Sequence, residues 1–182
     1  RDGAEVIVTT RFPRDAARRY AAVPDFDTWG QRLSVQELDL LDLPAALDFV
    51  ARAGRRFDGL DILVNNAAQT LYRPEAYHRE VREAETAALT GPAARIAFRA
   101  GTPPVPATAG DPLFPAGRRD ETGHQLDLRA VNSWVLHDAD VSPHEWLQVH
   151  VVNAFAPFLL TSRLRPLMAA SRHPQRHVVQ VS

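Results

Sequence analysis

The stretch Asp61-Ile62-Leu63-Val64-Asn65-Asn66-Ala67-Ala68 decides the fold. Three branched aliphatics in a row read as a strand that is apolar on both faces, the pattern of a strand at the centre of a parallel sheet. The polar pair Asn65-Asn66 then falls at the carboxyl end of that strand, where open α/β sheets bind their ligands. Asn-Asn also ends strands and opens turns with no ligand involved, so the stretch alone leaves both readings open.

Towards the amino end, Ala4 to Thr10 is a β-branched run closed by Arg11-Phe12-Pro13, a strand running into a loop. Asp15 to Ala22 has the Ala/Arg content of a helix, and Pro24 to Gly30 supplies turn residues with Phe26 and Trp29 as anchors. Leu33, Val35 and Leu38 mark a second strand. Asp42 is placed to cap the following helix, with Pro44 in its first turn and Leu47, Val50 and Ala51 expected on one face. Strand, helix, strand, helix, strand is the order of a parallel sheet covered by helices, with right-handed crossovers.

Towards the carboxyl end the pattern breaks after Thr70. Pro74 to Leu89 reads as a helix with Tyr77, Val81 and Ala88 on one side, but Gly91 to Gly117 contains six prolines and four glycines. That is too many for regular packing. Residues 71–131 are therefore expected to be an insertion with an irregular centre, between a first part at 1–70 and its continuation at 132–182. Connections in α/β units run about 2–6 residues, so this excursion is either a lid or surface. The charges Arg118-Arg119-Asp120-Glu121 read as a solvated face.

Order returns near Leu126. Ser142-Pro143-His144-Glu145 is a capping box with Pro at the first helical position. From there to about Ala170 the pattern is helical, and Val151 to Leu160 is apolar except at Asn153. A buried helix would leave that amide in need of a partner, since an unpaired one costs about 1–3 kcal/mol. Pro157 has no N–H to give the carbonyl of Asn153 four residues earlier, so a bend is expected there. Arg176 to Ser182 closes the chain as a further strand.

The composition excludes several classes. Lys+Arg 21 against Asp+Glu 22 gives a net charge of −1, which offers no electrostatic reason to bind nucleic acid or an anionic membrane. Cys is absent, so there is no disulfide, thiolate metal site or thiol nucleophile. The seven His show no metal-ligand spacing, and His173 and His177 straddle Pro174. No apolar run reaches the roughly 18 residues of a membrane span, and a cytoplasmic location is expected. All 21 basic residues are Arg. With 182 residues the chain suits one domain.

Taken together, these residues resemble the short-chain dehydrogenase/reductase family over the whole chain except the insertion. Asp61 to Ala68 resembles that family's Asn-Asn-Ala-Gly motif, with Ala68 in the place of Gly. Val152-Asn153-Ala154-Phe155-Ala156-Pro157-Phe158 resembles the helix carrying its catalytic Asn, and His177 to Ser182 resembles the strand leading to its catalytic Ser. The resemblance implies a Rossmann-like α/β fold, a doubly wound parallel sheet incomplete at both ends. It implies an NADP-dependent oxidoreductase moving a hydride between the nicotinamide and a carbonyl or alcohol. Asn153 and Ser182 would be catalytic. Thr10 and Arg11 would select the cofactor, the neutral Thr followed by Arg favouring the 2′-phosphate of NADP over NAD. Asp39 and Leu40 would line the adenine, and Asn65, Asn66 and Ala67 the riboses. The Gly-rich phosphate loop would precede Arg1 and the Tyr-x-x-x-Lys pair would follow Ser182, so this chain alone is expected to be inactive, as a piece of an enzyme that forms a homo-oligomer. A non-catalytic dinucleotide-binding sensor is the other reading.

Overall fold

The structure is a computed structural model that describes residues 3–69, 72–98 and 111–181. In chain order its elements are β1 (Val6–Thr10), α1 (Pro13–Ala21), β2 (Leu33–Glu37), α2 (Leu43–Arg56), β3 (Ile62–Asn65), α3 (Arg79–Thr86), α4 (Gly91–Ile96), β4 (Ala97–Phe98), α5 (Pro143–His150), α6 (Ala156–Ala170) and β5 (His177–Gln180). A π-helical turn, Val151–Phe155, joins α5 to α6, and a 3-10 turn, Glu75–His78, leads into α3. The chain divides into two compact units, Arg1–Glu37 with Arg73–Ala130, and Leu38–Tyr72 with Val131–Ser182.

In the first unit β1 runs parallel to β2, from Val6 opposite Leu33 to Thr10 opposite Glu37, and β4 joins the other edge of β2. The core is Ala17, Phe26, Leu33, Val35, Ala93 and Ile96. Ala17 is fully buried, and its single methyl lets α1 lie close to the strands. Gly30 is required by packing: a Cβ there would come within 2.5 Å of the Phe26 ring.

Helix α1 has no side-chain cap from its own N-terminal residues. The Glu85 carboxylate of α3 supplies one instead, accepting the N–H of Arg14 at 3.0 Å and of Asp15 at 2.7 Å. The Arg14 guanidinium donates to the carbonyls of Glu85 and Ala87, and that of Arg18 to those of Ala84 and Ala87. A carboxylate at a helix N-terminus and guanidiniums at another helix's C-terminal carbonyls both match the helix dipoles. The excursion is thus fastened to α1 by polar bonds at both helix ends.

In the second unit β3 and β5 form a parallel pair, Ile62 opposite His177 through Asn65 opposite Gln180. Helix α2 begins at Asp42, whose Oδ1 accepts the N–H of Ala45 at 2.9 Å. It packs on α6 through Ala46, Phe49 and Ala53, opposite Leu160, Leu164 and Met168 in their four-residue spacing. The C-terminal end of α6 sits hard on the loop before β3. Leu60 donates to the carbonyl of Leu167 at 3.1 Å, and a Cβ on Gly59 would meet the Ser171 Cα at 2.7 Å.

These observations overturn the expected doubly wound sheet. The described residues form a three-stranded sheet in the order β1-β2-β4 and a separate two-stranded sheet of β3 and β5. β2 has β1 on one edge and β4 on the other, so β3 does not pair beside it and pairs with β5 instead. Nor is β3 buried on both faces, since Ile62 is 55% and Val64 53% exposed. The stripe of α2 is shifted from the expected face, with Leu47 and Ala51 outward and Ala46 inward. Finally, Gly91–Phe98 is regular structure where its composition argued against any.

Candidate functional site

The turn after β3 is where the second unit concentrates its polar contacts. Asn65 ends the strand with its side chain turned inward, where Nδ2 donates to Thr161 Oγ1 of α6 at 3.3 Å. Asn66, Ala67 and Ala68 are exposed, and the two alanines leave the backbone around them open. Gln69 is then gripped by Asn153. The Asn153 Oδ1 accepts the Gln69 N–H at 2.7 Å, and its Nδ2 donates to the Gln69 carbonyl at 2.9 Å. A primary amide presents one acceptor and one donor side by side, so it pairs with a single residue's backbone as a neighbouring strand would.

Asn153 reaches Gln69 from the π-helical turn, the position where a helix accommodates one extra residue per turn. Pro157 explains the local winding, because it cannot supply the i→i+4 bond to the Asn153 carbonyl. The Ala156 N–H bonds Val151 five residues back instead. Asn153 is exposed and Phe158 is 66% exposed, so this helix is not wrapped in core as its composition led one to expect.

A second tie holds the chain a few residues on. The Tyr72 N–H donates to Ser133 Oγ at 2.9 Å, and the Ser133 hydroxyl donates to the buried Glu145 carboxylate. Ser142 Oγ accepts the Glu145 N–H at 3.1 Å, which is the cap expected for α5. Glu145 departs from the capping-box pattern: its carboxylate holds Ser133 rather than reaching back to the helix start. Asn153 and Glu145, on one continuous helical run, therefore hold the segment leaving β3 at two points.

The other site residues fall as follows. Asp39 forms a turn of its own, its Oδ1 accepting the Leu41 N–H at 2.9 Å, and Leu40 beside it is half-buried. Both belong to the second unit. Thr10 and Arg11 belong to the first, at the carboxyl end of β1. The Thr10 Oγ1 accepts the Phe12 N–H at 3.1 Å, whereas Arg11 is exposed with its guanidinium 5.4 Å from the Phe12 ring centre. Ser182 lies outside the described residues, though β5, which leads to it, runs beside β3. The structure thus brings Asn153 to the Asn65–Gln69 turn and keeps Thr10 with Arg11.

Sequence reasoning missed Gln69 and Thr161. Gln69 takes part through its main chain, which leaves no trace in residue type. Thr161 could have been found as a hydroxyl eight positions after Asn153 on the same helical run. It also missed His78, buried in the first unit with its ring 5.5 Å from that of Phe12 and 5.1 Å from that of Tyr77. Burial, reinforced by the positive charges of Arg11, Arg82 and Arg73, pushes its pKa down to about 3. Burial also raises the Tyr77 phenol. Among the described residues no group of three His, Asp or Glu is arranged to hold a metal, and no helix is long and apolar enough to cross a membrane.

No family model matches the chain, and no solved structure matches it. It is similar to a protein of Acanthamoeba polyphaga mimivirus described as "Uncharacterized protein R665", 28% identical over 180 residues, covering 94% of this chain. The chain spans 37% of that relative's length.

Proposed function

We propose that this chain is part of an NADP-dependent oxidoreductase of the short-chain kind, acting in the cytoplasm as a homo-oligomer on a carbonyl or alcohol. The observation that carries the reading is the two-bond grip of Asn153 on Gln69, immediately after the Asn65-Asn66-Ala67-Ala68 turn. It rests on this local arrangement and the quoted motifs rather than on the sheet.

Each unit, taken by itself, has residues suited to one part of such a cofactor. Arg11 is an exposed guanidinium with no carboxylate partner among the described residues, free to pair with a 2′-phosphate. Asn66 to Ala68 offer an open backbone turn for a ribose. Asn65 gives one amide N–H to Thr161, which leaves its Oδ1 and second N–H for the ribose role. When bound, the reduced cofactor would supply a hydride to a carbonyl, and the oxidised one would accept it from an alcohol. Asn153 holds the turn in place through its side chain, while Pro157, having no N–H, leaves its carbonyl without the i→i+4 bond of an α-helix. Ser182, in the complete protein, would polarise the substrate oxygen.

The test is equilibrium titration of NADPH and NADH followed by nicotinamide fluorescence. Saturable binding that prefers NADPH, with Arg11→Asp moving the preference towards NADH, is the expected outcome. An unchanged ratio in Arg11→Asp, or no binding of either nucleotide, refutes the assignment. The second reading, a non-catalytic dinucleotide sensor, predicts the same nucleotide binding without hydride transfer. Turnover by the complete protein excludes it.

A further inference from the structure

The second unit is almost neutral as a whole, with 7 Arg against 8 Asp and Glu, yet its charges are sorted to opposite ends. The loops before β3 and β5 are knotted together where α2 and α6 finish. Ser171 donates its hydroxyl to the Asp61 carboxylate, the His173 N–H donates to Ser171 Oγ at 3.0 Å, and the His177 N–H donates to the Asp61 carbonyl at 2.9 Å. Gly59 lies against the Ser171 backbone, and the Arg176 guanidinium reaches the Ser171 carbonyl at 3.5 Å. Around this knot stand Arg55 and Arg56 from the last turn of α2, and Arg172 and Arg176 from the loop before β5, all four exposed. Arg163 and Arg165, also exposed, belong to the second half of α6. Among the described residues none of Arg55, Arg163, Arg165, Arg172 and Arg176 pairs with a carboxylate.

We propose that this end of the second unit docks the phosphate backbone of double-stranded nucleic acid, without reading its sequence. Six Arg stand there against Asp58 and Asp61, 6 − 2 = +4. The C-terminal ends of α2 and α6 subtract about half a charge each, leaving roughly +3. The unit's other acids do not cancel it. Asp48 pairs with Arg52. Asp39 and Asp42 precede α2, whose 14 residues put them about 20 Å from Arg56. Asp138, Asp140 and Glu145 lie at the start of the helical run that ends at Ala170, which is 170 − 142 = 28 residues or about 40 Å long. Both distances exceed the Debye length of about 8 Å at physiological salt. The net charge of −1 for the chain averages this polarity away. Guanidinium forks match phosphate oxygens two at a time, and the exposed His173 and Gln175 add hydrogen-bonding groups for phosphate and sugar. Phe57, the aromatic residue of these loops, is half-buried with the Arg56 guanidinium 5.1 Å from its ring centre, so it offers no platform for unpaired bases. The exposed aliphatics nearby, Ile62 and Val178, are held in strand pairing rather than on a loop tip that could enter a bilayer. The hydrogen-bonded knot holds the loops in place beforehand, which lowers the cost of ordering them on binding. The surface is independent of the oxidoreductase reading.

The experiment is fluorescence anisotropy of a labelled DNA duplex of mixed sequence, titrated with the 182-residue chain at a series of salt concentrations. Binding that weakens with salt at a log–log slope of about −3, the value for roughly three to four neutralised phosphates, is the expected result. Arg172→Gln with Arg176→Gln makes the slope shallower by about 2 and lowers the affinity at low salt about a hundredfold, whereas Arg172→Lys with Arg176→Lys keeps most of both. Arg19→Gln with Arg95→Gln removes the same charge from the exposed surface of the first unit and leaves both unchanged. Hydrogen exchange at the Gln69 amide, in the same unit as the knot, reports whether the loop variant keeps its fold. Should it not, Arg55→Gln with Arg56→Gln tests the other side of the knot and is expected to lose as much. No binding at any salt, a slope near zero, or equal weakening by the variant of the first unit overturns the surface. Tighter binding to phosphatidylserine vesicles than to the duplex overturns it in favour of a membrane.

Discussion

Replacing Asn153 by Leu removes both bonds to Gln69 while keeping a side chain of similar size. Each bond contributes about 1 kcal/mol net. Asn153 is exposed, so water replaces part of what is lost, and the expected destabilisation is about 1–2 kcal/mol. That corresponds to a roughly 5–30-fold change in the opening equilibrium of the turn. Native-state hydrogen exchange at the Gln69 amide reads it directly, since this N–H donates to the Asn153 Oδ1. Asn153→Asp keeps the acceptor and loses the donor to the Gln69 carbonyl, so about half the effect is expected. Unchanged protection at Gln69 in the Leu variant refutes the grip. So does a loss that extends equally to the amides of α6, which would make Asn153 an ordinary contributor to the whole unit.

The cap that Glu85 provides to α1 predicts that Glu85→Ala lowers stability by about 1–2 kcal/mol in urea unfolding; a change within error assigns the cap no weight. For His78 the folded pKa, about 3, lies below the unfolded value of 6.5. Between those values the unfolded chain binds a proton that the folded chain does not, so stability falls as the pH drops from about 6.5 towards 3. It is fully present above 6.5, and the slope approaches about 1.4 kcal/mol per pH unit. His78→Phe flattens that part of the curve, and a profile identical to the parent's contradicts it. Gly59→Ala pushes a methyl against the Ser171 backbone and is expected to cost about 1–3 kcal/mol, read as a lower thermal midpoint. An unshifted midpoint means the loop yields freely.

The local elements were legible because their signals are short-range. The Asp42 cap, the Ser142 cap, the strand at Ile62–Asn65 and the helical run through Asn153 all stand where residue type and spacing put them. The sheet was not legible, because pairing depends on which edge is taken. The two-residue strand Ala97–Phe98 that occupies β2 sits in a stretch whose prolines and glycines argue against structure. The grip on Gln69 was half legible: the polar Asn153 in an apolar run announced a need for a partner, but a backbone partner 84 positions away carries no signature. His78 was hidden for a related reason, since burial among three arginines arises only once β1 and the excursion meet.

Because Glu85 and β4 both come from the stretch between the two halves of the second unit, residues 73–130 cannot be trimmed away as an ornament. A shortened version joining Tyr72 directly to Val131 would leave β2 with a bare edge and α1 with open amides. Engineers wanting a minimal variant should graft a substitute strand and an acidic residue there before removing anything.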